Sequence, residues 1–398
     1  MYVDPSIKRI ESKLIQIGVI KSKFSDILKS KNGILVNVNE FKSNRRLIIN
    51  VIFLIPFIKA NLNAFYRSSA KIDAYTGEVL RSSFGVTFSN LLYFAIMVIA
   101  YYNIVMRGVI MHYEKHHNLD FMTDLITLEG LSPNNLKRFK FESNIAIFLS
   151  EFFAHWALII FTGLYLVGVY MLHNSVQLTL INLYGTASIS LGVYLCSPVV
   201  LSILASFYLS TRYITMRYKQ NHQLLQAILR AKTLDANIAL LDAYITTHDM
   251  LSAKVMRYNE PIKIYLFIFH KIIGAASASV LYLALSGLES IMIQLLTIAI
   301  GILYGFASIT STLIAQLVHT AANDGYQDLC TISVAYGRFY DIRLRFRLQR
   351  LIQTIDCTNY PIGYSCYNLF PYKNTTTVSF LVSLFATLLL IHNTNLVN

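Results

Sequence analysis

Charged residues are scarce in this sequence. Asp, Glu, Lys and Arg together make up 14% of 398 residues, where a soluble domain carries about 25%. That is too little to cover one or two globular domains with a water-facing surface, which all but excludes soluble enzymes. Four cysteines in so long a chain exclude a disulfide-stapled secreted scaffold. Gly 17 and Pro 7 exclude collagen-like and low-complexity classes. There is no Gly-rich phosphate loop, no Ser-His-Asp spacing and no paired-Cys metal motif. No enzymatic activity, metal or cofactor is expected. The lack of an internal repeat counts against an inverted-repeat transporter.

Apolar residues, in contrast, are abundant, at 55%. A helix needs roughly 20 of them in a row to cross a bilayer. Seven apolar segments fit, near 47–66, 87–108, 143–173, 178–210, 263–286, 291–318 and 375–393. An all-α, seven-span, multi-pass protein of the plasma membrane is expected. The third and fourth segments exceed a bilayer's needs and must tilt or protrude. Met1 to Arg46 hold no apolar run before Leu47, so no cleaved signal peptide is expected.

Lys and Arg outnumber Asp and Glu by 34 to 21. Nucleic-acid binding would cluster that excess on a soluble face; here it sits between apolar runs. The N-terminal arm (Lys8, Arg9, Lys13 and onward) and the stretches 211–262 and 319–374 are basic, whereas 174–177, 287–290 and the tail after His392 hold no Lys or Arg. Basic and non-basic loops alternate at every crossing. The positive-inside rule then puts the N-terminus in the cytoplasm and the C-terminus outside. No nucleic-acid partner is expected; anionic lipid is. Cys196 falls in a span and Cys330, Cys357 and Cys366 on the inner side, so all four are expected as thiols. The sequon Asn374-Thr375-Thr376 falls at the membrane edge or inside, and is expected to go unused.

The inner side is large. Leu224, Leu225, Ile228, Leu229, Leu234, Ile238, Leu241 and Ile245 recur at helical spacing, as in helices that extend a bundle beyond the membrane. Tyr336 to Ile355 reads as one amphipathic helix. Phe339, Ile342, Phe346, Ile352 and Ile355 form much of one face, and Arg343, Arg347 and Arg350 lie on another.

From Arg212 to Asn393 the chain resembles the insect gustatory and odorant receptor superfamily, most of all a divergent gustatory receptor. Leu240-Leu241-Asp242-Ala243-Tyr244-Ile245, continuing through Val255-Met256-Arg257-Tyr258, is similar to that family's helix before span five and ends in the expected Asn, Asn259. Phe346-Arg347-Leu348-Gln349, then Pro361-Ile362-Gly363-Tyr364-Ser365, then Asn368-Leu369-Phe370 follow the family's order of basic helix, returning turn and last span. Asn replaces the usual Gly at 368 and is the side chain that best tolerates a left-handed backbone. In the last span, Phe385-Ala386, Thr387 to Ile391 and His392-Asn393 keep the length and polarity of the family signature but not its identities.

The resemblance implies a ligand-gated, non-selective cation channel, homotetrameric or assembled with related receptors, gated by a small tastant or odorant. Its parts would be a cytoplasmic arm (1–46), a six-span ligand-binding bundle (47–318), an anchor helix with its returning segment (319–374), and a pore-lining last span with a short tail (375–398). Leu384, Leu388 and Ile391 would line a hydrophobic constriction, with His392 at the family's pore Gln position. The plainer reading is a lipid-facing span. Phe339, Ile342, Phe346 and Arg347 would anchor subunits. Tyr93, Tyr165, Tyr170, His173, Asn182, Tyr184 and Gln294 gather at the outer ends of the spans. They are either a ligand pocket or interfacial belt residues. Glu151 and His155, at i and i+4, are expected to pair. His112, His116 and His117 are expected to be solvated. Two rivals stay open: a family-like protein that no longer conducts, and a secondary transporter.

Overall fold

The computed structural model describes residues 5–16, 19–20, 23–31, 48–49, 58, 86–116, 119–171, 176–230, 234–285, 291–336, 342–356, 362–366, 370–373, 376, 378–379, 381–383, 385–386 and 389. Eleven helices and one short strand pair account for nearly all of them. They are α1 (Pro5–Gln16), α2 (Phe24–Lys31), α3 (Val86–Lys115), α4 (Asp120–Thr127), α5 (Pro133–Met171), α6 (Val176–Arg230) and α7 (Leu234–Phe267). A π-helical turn (Ile268–Ile273) joins α7 to α8 (Gly274–Leu285). Then follow α9 (Ile291–Asn323), α10 (Tyr326–Tyr336), α11 (Ile342–Asp356), β1 (Ser365–Cys366) and β2 (Phe370–Pro371).

Among the described residues, four helical stretches are long and apolar enough to cross a membrane: Pro133–Gly163, Thr179–Arg230, Ile238–Tyr282 and Thr297–Ala335. The chain is thus an all-helical, multi-pass membrane protein. Most of the 47–66 span and of the last span lie outside the described residues.

Helix α6 is the hub, packing against α1, α3, α4, α5, α7, α9 and α10. At about 1.5 Å per residue, its 55 residues span about 80 Å. That far exceeds a hydrocarbon core of about 30 Å, so α6 runs on beyond a single crossing as one continuous rod. Helix α5 runs antiparallel beside it, tied at two levels. Thr162 Oγ1 lies 2.9 Å from Ser190 Oγ. Lower down, Arg212 holds Glu142 with two bonds of 2.7 Å. Where α8 meets α9 the approach is close: a Cβ added at Gly301 would sit 2.6 Å from Leu281 Cγ. Only a residue without a side chain permits that approach.

Within α7, Pro261 lacks the amide hydrogen that an α-helical ladder needs. The π turn follows seven residues later, and Ser308 Oγ on α9 donates to its Phe269 carbonyl at 2.8 Å. A carbonyl displaced by the wider turn is thereby satisfied.

Of the helix expected over 336–355, residues 342–355 fall in α11, and 337–341 lie outside the described residues. Its expected apolar face needs correction. The stripe that α11 buries is Leu344, Leu348, Leu351 and Ile355. These cluster with Leu225, Ile228, Leu241, Tyr244, Leu329 and Ile332. Burial of each leucine contributes about 1.5–3 kcal/mol where the surroundings are water. Ile342 and Phe346 lie on the opposite, exposed side.

Candidate functional site

Three constructions on the bundle carry functional interest. The first is at the end where α3 begins and α5 finishes. Tyr93 and Tyr165 are both buried, and the Tyr165 hydroxyl donates to the Tyr93 hydroxyl at 3.3 Å. Asn182, near the start of α6, is 3% exposed, and its backbone carbonyl accepts the Thr186 hydroxyl at 3.0 Å. Gln294 is half-buried at the start of α9. Aromatic faces with a few polar groups, enclosed by apolar helices, are what a small organic ligand requires.

Two predicted pocket residues stand apart. Tyr170 and Tyr184 are 78% and 66% exposed. They face outward from the protomer, as belt tyrosines do. His173 lies outside the described residues.

The second construction is at the opposite end of the bundle, where α6, α7 and α9 converge. Helix α9 stops at Asn323, leaving its last carbonyls without partners of their own. Two histidines from neighbouring helices supply them. His222 Nε2 lies 2.6 Å from the Ala321 carbonyl and His248 Nε2 3.4 Å from that of Ala322. A carbonyl only accepts, so each Nε2 carries the proton. The Nδ1 of His222 is then free to accept the Tyr244 hydroxyl at 3.2 Å. Gly325 closes the turn: a Cβ there would lie 2.7 Å from His222 Nδ1.

Beside it, Asp124 on α4 takes two donors from α7. Lys254 Nζ lies at 2.9 Å and the Tyr258 hydroxyl at 2.7 Å. Tyr213 and Arg217 on α6 both donate to the Glu129 carbonyl. Neither group was singled out in the sequence. The available signal was a polar residue interrupting an apolar stripe at helical spacing, as His222 and His248 do.

The third construction is the returning hairpin beneath the last span. Asn259, the residue on which the α7 motif ends, clamps it. Its Oδ1 accepts the Ser365 amide at 2.9 Å, and its Nδ2 donates to Ser365 Oγ at 3.0 Å. Strand β1 pairs antiparallel with β2, and the Tyr372 amide donates to the Tyr364 carbonyl at 2.9 Å. Tyr364 is fully buried against Phe207, and burial pushes its hydroxyl well above the usual phenol range. Thr376 Oγ1 accepts the Lys373 amide at 2.8 Å and donates to the Pro371 carbonyl at 3.3 Å, holding the hairpin to the start of the last apolar segment. Asn368 and Leu369 lie outside the described residues.

Of the predicted anchor residues, Arg347 pairs with Asp242 and donates to Thr246 Oγ1 at 3.0 Å, tying α11 to α7. Phe339 lies outside the described residues. In the last span, Leu384, Leu388, Ile391 and His392 are likewise outside them. The described Val378, Val382, Phe385 and Leu389, at i, i+4, i+7 and i+11, are all exposed on the protomer. Glu151 and His155 meet differently from expectation: His155 Nδ1 lies 2.6 Å from the Glu151 backbone carbonyl. His112 and His116 are exposed, their rings 4.7 Å apart.

An all-helical, multi-pass bundle with a short hairpin before its last apolar segment defines the class of fold. Compared with known proteins, the chain is similar over nearly its whole length to the insect olfactory receptor OR5 from Machilis hrabei. Against that receptor in complex with eugenol the TM-score is 0.70 at 12% sequence identity, covering 98% of this chain and 97% of that one. Against another structure of the same receptor it is 0.65 at 11% identity, covering 97% of each chain. No protein-family model and no curated protein matches. The fold is thus that of an insect olfactory receptor, in keeping with the resemblance drawn from residues 212–393.

Proposed function

We propose that this protein is a chemosensory receptor of the plasma membrane, acting as a ligand-gated, non-selective cation channel. The observation that carries this reading is the end-to-end fold similarity to an olfactory receptor, one structure of which holds eugenol. The buried Tyr93–Tyr165 pair and Asn182 are the core of the ligand site, with Gln294 and His173 completing it from the neighbouring elements. The last span lines the pore of a tetramer, homomeric or formed with related receptors. Leu384, Leu388 and Ile391 form the constriction and His392 its mouth. Ile342 and Phe346, exposed beside the Arg347–Asp242 pair, meet neighbouring subunits. A ligand favours the open state only through its higher affinity for that state, and the Asn259–Ser365 clamp links α7 to the last span.

The test is whole-cell recording from cells expressing the full chain, challenged first with small phenols such as eugenol, then with sugars and bitter aromatics. A ligand-evoked cation current is expected, and Leu388→Ala or Ile391→Ala raises the resting leak. Absence of both effects at normal surface expression, with and without a related receptor, overturns the channel reading.

A further inference from the structure

The amphipathic N-terminal helix α1 is built into the side of the bundle. Ile7, Ile10 and Leu14 are buried, whereas Lys8 and Arg9 are exposed. It packs against both α5 and α6. Its one acid, Glu11, is turned inward at 8% exposure, where Oε1 accepts the Phe24 amide at 3.2 Å. Lys13 Nζ lies 5.8 Å from the centre of the Tyr194 ring, a cation–π contact.

The depth of that contact follows from helix geometry. Tyr194 lies 18 residues beyond the start of α6 at Val176, or about 27 Å along its axis. That distance carries a chain from one face of the hydrocarbon core to the other. Helix α3 gives the same level independently: Arg107, 21 residues from its start at Val86, donates to the Leu195 carbonyl at 3.4 Å. A half-exposed tyrosine with a lysine on its ring fits a headgroup boundary. Helix α1 therefore lies along that boundary with its basic face outward. Residues 1–31 hold seven Lys and Arg against three acids.

We infer that Lys8, Arg9 and Lys13, with the Tyr194 ring, form a surface that binds the anionic headgroups of phospholipids in the adjoining leaflet. Charge complementarity selects the occupant. Each basic residue near an anionic leaflet favours association by about fivefold, and the apolar stripe fixes the helix so that little ordering is left to accomplish on binding. The inference goes beyond the channel reading and does not depend on conduction.

The chain carries its own reporter. Trp156 is the single tryptophan and is 46% exposed on α5. The α5–α6 register set by Thr162–Ser190 and Glu142–Arg212 puts it level with Tyr194. The test is quenching of Trp156 in full-length protein reconstituted into nanodiscs with brominated phosphatidylserine or brominated phosphatidylcholine. Stronger quenching by phosphatidylserine is expected, lost in 0.5 M salt. Preference falls about fivefold for each charge removed along the series Lys8→Gln, Arg9→Gln, Lys13→Gln, and a Lys8→Arg, Lys13→Arg variant keeps it. Equal quenching of the wild type by the two lipids overturns the inference, as does a preference that survives the triple substitution. Should the triple variant fail to reconstitute, the salt titration of the wild type decides: an insensitive preference overturns the assignment.

Discussion

At the Tyr93 end of the bundle, buried helices are joined by a neutral hydroxyl pair of 3.3 Å, while the Asn182 backbone carbonyl bonds within its own helix. At the Asp124 end the joints are charged and directional. Lys254 and Tyr258 converge on one carboxylate, Arg212 grips Glu142 twice, and two histidines hold the terminal carbonyls of α9. The difference follows from the surroundings. Among lipid tails apolar contact gives little net drive and helices associate by close fit, whereas beyond the membrane water rewards both burial and ion pairing. An end joined by neutral hydroxyls can be re-formed at lower cost than an end cross-linked by charge, which keeps its geometry.

Four substitutions probe that contrast. The largest effect is expected from Asp124→Ala. It strands a half-buried ammonium and the buried Tyr258 hydroxyl, and costs about 3 kcal/mol, read as a lowered thermal midpoint in detergent. Adding Lys254→Ala recovers part of the loss, and an additive double mutant would refute the coupling.

Asn259→Ala comes next. It removes an acceptor and a donor from the hairpin for about 2 kcal/mol and lowers the ligand-evoked current more than ligand affinity. Asn259→Asp keeps the acceptor for the Ser365 amide, and the Ser365 hydroxyl turns to donate, so most function returns. Equal currents from the Ala and Asp variants would contradict a role for the clamp.

Tyr93→Phe costs less than about 1 kcal/mol yet shifts the agonist concentration–response curve. A stability loss matching that of Asp124→Ala would erase the contrast between the two ends.

Glu11→Gln is the smallest. Burial raises the Glu11 carboxyl above its ordinary value, so folding is favoured by protonation and this contribution fades as pH rises through the folded value. Glutamine keeps an acceptor for the Phe24 amide without the charge. The variant is therefore at least as stable as wild type at pH 7, and the wild type closes the gap toward pH 5. A variant clearly less stable at pH 7 would show that the carboxylate is needed as such.

Much of the architecture is legible in composition and periodicity. Long apolar runs in a chain poor in charge leave no other class, and the helical continuation through the end of α6 and the start of α7 is visible in the stripe from Leu224 to Ile245. Asn259 is legible too, because its motif ends there and a side chain with both a donor and an acceptor suits a clamp. The face of α11 is not. Ile342 and Phe346 repeat at the same spacing as Leu344 and Leu348, so periodicity offers two stripes and only the neighbouring helices choose between them. Tyr170 and Tyr165 sit in the same apolar run, yet one faces outward and the other is buried.

Hydropathy and charge therefore suffice for a multi-pass helical membrane protein, since transfer free energies depend on composition alone. Which polar groups meet is another matter. The bonds from His222 and His248 to the end of α9, from Lys254 to Asp124, and from Lys13 to Tyr194 join residues 74 to 181 positions apart. Hydrogen bonds and ring contacts act over a few ångströms, so these partners exist only once the helices have packed.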